Sequence, residues 1–386
     1  MKKKNLILLT SFFLMGSQVI SPQSKTGDLP VIDISKKYLE KKIRLQDIAD
    51  IEYIPLETAD DILLSDRAVL SCVSDKYILL HEPVRGDIFV FNRTGKIYSH
   101  FNHRGQGGRE YAWISTGTVF DEKNEEIFVC SQSIQVYSLS GEYKRTLNNM
   151  IRNDMKVFNF DDEALLVYDD VVIEPGLEGK TKKNPYSLIS KKDGSIISVL
   201  DIHLPERYSA RIAKIEDNNK WWPIRIFFRG YSMYYGRDFM IADMSSDTLY
   251  LLTQNRELTP ILTRKPSVHA SEPRIVWVPF LTTDKFILIG LIPLRFNERG
   301  GRIPVLMYEF ETGETGKASI LDADFGMCSW SPGNSPAIAK NMTAEMIQSP
   351  SIIEAHKKNQ LKGDIEKFVM TLDEDDNPVV RIIKFK

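Results

Sequence analysis

The sequence predicts an all-β fold, a six-bladed β-propeller of four-stranded antiparallel blades, and three observations predict it. The first is a repeat. Asp87 to Phe101 (DIFVFNRTGKIYSHF) is echoed by Ser133 to Leu147 (SIQVYSLSGEYKRTL), and Gly95 and Gly141 hold the same place, so the period is 141 − 95 = 46. Each unit is a short apolar strand, a polar turn with glycine and a second alternating strand. Periods of about 40 to 50 residues with several short strands are the mark of propeller blades. The second observation is that this strand-turn-strand rhythm returns along the rest of the chain. The third is a pair of strands without partners, one near the start and one at the end. Joining them closes a ring and removes two exposed edges at once.

The elements follow in order. Met1 is followed by three lysines and the apolar run Asn5 to Gly16 (NLILLTSFFLMG). That run is too short to span a bilayer and reads as a secretory signal, with cleavage expected between residues 16 and 24. A lipid-attachment cysteine is missing, since Ser17 follows Leu14-Met15-Gly16, so the product is expected to carry no lipid. The chain then divides into a signal peptide (1–24), a flexible linker (25–42) and one propeller domain (43–386). Ile51 to Leu56 alternates like a strand, with Pro55 marking an edge. Blade one begins at Ser74 and blade two at Val119. Blade three takes Phe158 to Asp170 and resumes at Asn184 to Ile202, where Lys191 to Gly194 reads as a hairpin turn. Blade four is Gly236 to Leu262. Blade five is Trp277 to Leu291 with Pro304 to Leu321. Residues 340–362 read as the one helical stretch, and the terminal KFVMTLDEDDNPVVRIIKFK as two strands about an acidic turn. A seventh blade would need strands hidden in residues 203–230 or 323–362.

Composition bounds the function. Net charge is −2 and the pI about 6.4, which gives no basic surface for nucleic acid. Three cysteines (Cys72, Cys130, Cys328) do not make a disulfide framework, and Cys130 reads as a buried small hydrophobe. No integral membrane segment is expected in the mature chain, and a monomer is expected.

The run from Gly105 to Leu147 resembles an NHL-type repeat: Gly-Gln-Gly-Gly-Arg-Glu-Tyr, an inner strand, IFVCS, then SIQVYSLSGEYKRTL. More narrowly, the chain from residue 43 onward resembles the secreted six-bladed β-propellers abundant in gut Bacteroidetes. The matching stretches are Ile54 to Glu57, Ser74 to Leu80, Gly105 to Tyr111, Ser246 to Leu252 and the terminal DNPVVRIIKFK. The resemblance implies a cell-envelope location, periplasmic or extracellular, and a binding or scaffolding role, often near glycan-utilisation systems.

Candidate sites are few. Gly105, Gly107 and Gly108 lack the Lys-Ser/Thr and the helix of a phosphate loop, so their loop reads as an inter-blade turn with glycines at positive φ. Such a turn lies on the ligand-bearing face of a propeller, which makes Arg104, Arg109 and Glu110 candidate ligand contacts. His100 and His103 point to opposite faces of a strand and lack a third metal ligand. Asp373-x-Asp375-x-Asn377 begins like a calcium loop, but Pro378 replaces its glycine. No cofactor and no metal are implied. An aromatic and basic segment contributes Trp221, Trp222, Arg225, Arg229 and Tyr231, and a Gly- and Arg-rich loop contributes Arg295 and Arg299. Flat rings stack on sugar faces and arginine pairs with carboxylates. Most of these rings are expected to fill the space between blades three and four, leaving one or two tryptophans for a site. The acids that recur in each blade (Asp75, Asp121, Asp161, Asp238, Asp284) fall in turns on the opposite face.

Two functions are compatible with this reading. One is an exported, non-catalytic binding module for an acidic glycan or an acidic protein partner. The other is a propeller-type hydrolase or lyase with a metal in the central channel.

Overall fold

The computed structural model describes residues 18–20, 28–59, 62–147, 155–169, 184–202, 204, 207, 211–215, 221–225, 232–235, 238–270, 274–293, 303–331, 337–339 and 341–386. Six antiparallel four-stranded blades form a ring, as the sequence predicts. Blade 1 is Val69–Val73, Tyr77–His81, Asp87–Asn92 and Ile97–Asn102. Blade 2 is Gly117–Asp121, Glu126–Cys130, Ile134–Ser138 and Tyr143–Leu147. Blade 3 is Met155–Asn159, Ala164–Asp169, Tyr186–Ser190 and Ile196–Leu200. Blade 4 is Ser232–Tyr235, Asp238–Ile241, Thr248–Leu252 and Leu258–Lys265. Blade 5 is Ile275–Thr282, Phe286–Pro293, Val305–Glu309 and Thr315–Asp322. Blade 6 takes Ala337–Ala339, Met342–Ile347 and Val379–Phe385 from the C-terminal end and Ala49–Pro55 from the N-terminal end.

That last strand closes the ring. Ala49–Pro55 runs antiparallel to Val379–Phe385, from Pro55 opposite Val379 to Ala49 opposite Phe385. The core is distributed between the blades. Ile54, Val380 and Ile382 of blade 6 pack with Leu80, Phe89 and Phe91 of blade 1. Ile88 and Val90 of blade 1 pack with Phe120, Ile127 and Tyr137 of blade 2.

The glycine of the repeat has two physical reasons. Gly95 and Gly141 sit at φ 83° and 86° in the turn between the third and fourth strands. They also abut the preceding blade: a Cβ on Gly95 would lie 2.0 Å from the Pro55 carbonyl oxygen, and one on Gly141 2.6 Å from Phe101. The same turn holds Gly194 at φ 82° in blade 3 and Gly313 at 70° in blade 5. Blade 4 places Arg256 there at φ 62°. An arginine in the left-handed region costs about 1 to 2 kcal/mol more than glycine. It also reaches back to blade 3, with Nη2 3.2 Å from Asp161 Oδ2.

Two regions depart from the sequence reading. Residues 25–42, expected as a linker, contain the strand Val31–Asp33, and Glu40–Arg44 begins inside them. Val31–Asp33 adds in parallel to the outermost strand of blade 4, and Glu40–Arg44 adds in parallel to that of blade 5. Ile32 and Ile34 are buried in the core there. Gln18–Ile20 adds likewise to blade 3. The segment therefore girdles the outer edges of blades 3, 4 and 5 before entering blade 6. The second departure is in blade 6. Residues 340–362 are not one helix: Met342–Ile347 is a strand, and the helix is Ser349–Lys357, with proline in its first turn. Pairing of Met342–Ile347 with Val379–Phe385 overrides its helical composition. The expected terminal hairpin is also absent. Asp364–Phe368 is helical, and the short helix Val369–Thr371 follows it. This helical insert has its own small core of Ile352, Leu361, Ile365 and Val369.

Candidate functional site: one face of the ring

The two faces of the ring differ. Turns 74–76, 122–125, 160–163 and 283–285 join first to second strands, and 93–96, 139–142, 191–195, 253–257 and 310–314 join third to fourth. All are short. The opposite face receives the other connections, whose described parts include 56–59, 62–68, 103–116, 184–185, 201–202, 303–304, 323–331 and 348–378.

The short-turn face holds the recurring acids, and three of them tie neighbouring blades together. Lys191 of blade 3 lies 2.5 Å from Asp121 of blade 2, with both side chains buried. Arg256 of blade 4 reaches Asp161 of blade 3. Asn341 beside blade 6 accepts from the Asp284 amide at 2.8 Å and donates to its carboxylate at 3.1 Å. Asp238 instead accepts from the amide of Gln254 in its own blade, and Asp75 is exposed.

Among the described residues, the long-connection face carries the exposed large apolar loop residues, apart from Leu39 of the girdle. Leu63, Val84, Trp113, Ile303, Met327 and Met370 are all exposed, and all lie in its connections. Two of them come together. The Ile114 amide donates to the Pro83 carbonyl at 3.0 Å, which sets the segment carrying Trp113 beside the turn carrying Val84. Arg104 Nε donates to the Ala112 carbonyl at 3.2 Å, next to Trp113. Arg85 lies 3.4 Å from Glu82 and 3.3 Å from Asp87. Burial would raise the Asp87 carboxyl, but donors from Asn102 and His100, with Arg85 beside them, hold it below the ordinary carboxylate value. Tyr111 anchors the loop: its hydroxyl donates to the Gly86 carbonyl at 2.7 Å and accepts from the His103 amide at 3.0 Å.

Arg104, Arg109 and Glu110 thus share one exposed loop on this face. The Arg109 guanidinium lies over the Tyr143 ring of blade 2, 5.4 Å from its centre. Glu110 is engaged within the loop, accepting from the Gly107 amide at 2.7 Å. The expected positive φ at Gly105, Gly107 and Gly108 does not occur. Space explains Gly105 instead, since a Cβ there would meet Glu110 Oε2 at 1.9 Å. His100 Nε2 donates to the Asp87 carboxylate at 3.0 Å, and His103 contacts the Gly141 carbonyl at 2.7 Å, so the two part as alternation predicts.

The aromatic segment divides. Trp221–Arg225 pairs only with Arg211–Ile215, as a separate hairpin between blades 3 and 4. Ser232–Tyr235 is the innermost strand of blade 4. Trp221, Trp222 and Arg225 therefore belong to an insertion rather than to a blade. Arg229, Tyr231, Arg295 and Arg299 lie outside the described residues, as does most of the loop from Asp169 to Lys183.

A second cluster sits where blades 1 and 2 meet. Innermost strands Val69–Val73 and Gly117–Asp121 are neighbours. Leu70 pairs with Leu80 and Cys72 with Leu79, so Ser71 is the extra residue of a bulge. Its Oγ lies 2.6 Å from Nδ1 of buried His81, and Thr118 Oγ1 donates to it at 2.7 Å. Sequence reasoning missed these three and Trp113. Trp113, two residues beyond Tyr111, was within reach of the loop argument. Ser71 was not, because a bulge shifts register without a sequence mark. Among the described residues no three of His, Cys, Asp or Glu stand close enough to hold a metal ion.

Fold and faces together define a six-bladed β-propeller with a single elaborated face. The chain belongs to the family described as Domain of unknown function (DUF4934), whose model matches residues 29–384 and so includes the girdle from Val31 onward. No curated protein matches the sequence. A candidate exported protein of Bacteroides fragilis NCTC 9343 has a similar structure at 12% identity, with 90% of this chain and 99% of that chain covered and a TM-score of 0.60. A member of the DUF4221 family from Bacteroides vulgatus ATCC 8482 aligns at 10% identity, over 88% of this chain and 97% of that one, with a TM-score of 0.46. The first likeness concerns the fold alone. Among the described residues, no helix is long and apolar enough to cross a membrane.

Proposed function

We propose that this protein is an exported, non-catalytic binding or scaffolding propeller that recognises its ligand on the long-connection face. The observation that carries the reading is the asymmetry of the ring. One face is closed by short, ion-paired turns, whereas the other carries the long connections and, among the described residues, every exposed large apolar loop residue except Leu39 of the girdle. Long loops on a rigid scaffold are more often functional than the turns that merely close it. Exposed Trp113 beside the turn of Val84 and Arg85, with Arg104 reaching Ala112 next to it and Arg109 in the same loop over Tyr143, suits a ligand with apolar sugar faces and carboxylates. An acidic glycan fits this chemistry, and so does an acidic segment of a partner protein. Arg229, Arg295, Arg299, Trp222 and Tyr231 belong to the same proposed surface by their place in the connections.

A glycan array on the mature protein, followed by calorimetry, tests the reading. Trp113→Ala is expected to weaken binding about 30-fold, since truncating such a hot spot costs about 2 kcal/mol. Arg104→Ala should weaken it less, and Lys123→Ala on the short-turn face not at all. Equal affinity in all three would place the ligand elsewhere. For export, N-terminal sequencing should return a start between residues 17 and 25 with no attached lipid. An intact Met1 would overturn that part.

A further inference from the structure

We infer that Ser71 is a nucleophilic hydroxyl with His81 as its base, and that the junction of blades 1 and 2 accepts acyl groups from carboxylic esters. Three observations carry this. The first is the bulge, which takes Ser71 out of the regular alternation of an innermost strand and aims its side chain afresh. The second is the hydrogen-bond order. Thr118 Oγ1 donates to Ser71 Oγ at 2.7 Å and lies 3.5 Å from His81 Nδ1, and in the tautomer that leaves Nδ1 unprotonated the serine's own proton points to that nitrogen, 2.6 Å away. A hydroxyl held this way is poised to lose its proton as it attacks. The third is access. Ser71 is half-buried rather than buried, while His81 is 4% exposed. Gly117, at φ 111°, opens the neighbouring strand, and a Cβ there would meet nothing within 4 Å except His81 Cε1 at 3.7 Å. The imidazole edge is thus approachable from the side of the next blade.

The step balances without a further reactant. Ser71 Oγ bonds to the ester carbonyl carbon while its proton moves to His81 Nδ1. The tetrahedral adduct then breaks its bond to the alcohol, which leaves with that proton. Water attacks the acyl-serine by the same route and restores Ser71, giving the acid. Thr118 is a positioning residue: it orients the nucleophile and does not touch the substrate.

If this inference holds, the protein is not purely non-catalytic, whereas the ligand surface proposed on the long-connection face is a separate place in the fold, so the failure of either is read apart from the other. The test uses the folded mature protein and a fluorophosphonate probe. Its P–F bond breaks as Ser71 Oγ bonds to phosphorus, with the proton passing to His81. Peptide mapping by mass spectrometry should find one adduct, at Ser71. His81→Gln should slow labelling at least about 100-fold, because general-base assistance contributes roughly 10² to 10⁴. Thr118→Val should slow it severalfold, and Thr118→Ser, which keeps the hydroxyl, should restore it. Absence of the Ser71 adduct in wild-type protein overturns the inference, whatever the variants do. Labelling that is undiminished in a folded His81→Gln protein overturns the role of the base.

Discussion

The side-chain amide of Asn377 meets three backbone groups of the N-terminal segment. It donates to the carbonyls of Glu57 at 2.7 Å and Ile62 at 2.6 Å, and accepts from the Leu64 amide at 2.8 Å. Its own amide donates to Thr58 Oγ1 at 2.9 Å. The residue is 2% exposed, so each of those groups would lose its partner without gaining water. Asn377→Ala is expected to destabilise the fold by about 2 to 4 kcal/mol, since unsatisfied buried polar groups cost about 1 to 3 kcal/mol each and partial relaxation recovers some of it. A denaturant midpoint unchanged in Asn377→Ala would show that these contacts are replaceable. In the sequence, Asn377 is read only as the end of a polar turn. What it does depends on a segment more than 300 positions away, and no local pattern records that.

At the scale of elements, the turn between third and fourth strands was legible because four blades place glycine there, and the repeat shows two of them. Blade 4 hides the same geometry under Arg256. Blades 1 to 5 were legible through the repeat and its rhythm of strands and turns, but starts at Ser74 for blade 1 and Gly236 for blade 4 leave out their innermost strands, Val69–Val73 and Ser232–Tyr235. The strand Met342–Ile347 was not, because its partner Val379–Phe385 lies across a helical insert and its own composition favours no strand. The recurring acids were legible by position, but their partners were not. The Asp121–Lys191 pair shows why, since its members belong to different blades. Burial alone would raise the Asp121 carboxyl, but the hydrogen bond from Lys191, with help from Asn124, holds it below the ordinary value of 3.8. A depressed carboxyl contributes stability that is fully present above that ordinary value and is lost as pH falls through the lower, folded one. Lys191→Met should cost about 3 to 5 kcal/mol near neutral pH by stranding a buried carboxylate. Asp121→Leu combined with Lys191→Met should recover most of that and flatten the loss of stability in acid. Melting curves from pH 7 to 3 check both. A double variant no more stable than Lys191→Met would refute the pairing as the cause.

At the scale of the molecule, the ring and its closure were anticipated, and the girdle was not. Ile32 and Ile34 are too few and too widely flanked by polar residues to announce a strand by themselves. Their burial comes wholly from the outer edges they cover. Truncation separates the roles. Deleting residues 1–30 should leave the melting temperature nearly unchanged. Deleting residues 1–38 should lower stability by about 3 to 6 kcal/mol, as two buried isoleucines are worth about 1.5 to 3 kcal/mol each. Deleting residues 1–58 should abolish cooperative unfolding, because blade 6 loses its outermost strand and the ring opens. Equal melting temperatures for the first and last truncations would exclude ring closure by Ala49–Pro55.

The closing pair also sets a timetable. Ala49–Pro55 is among the first strands to leave the ribosome, and Val379–Phe385 is the last. Until the final residues are synthesised, the early strand has nothing to pair with and the nascent chain cannot complete its ring. Nearly the whole polypeptide must therefore wait in an incomplete state. A chain that has to be threaded through a narrow membrane pore would benefit from that delay, since a closed ring could not pass.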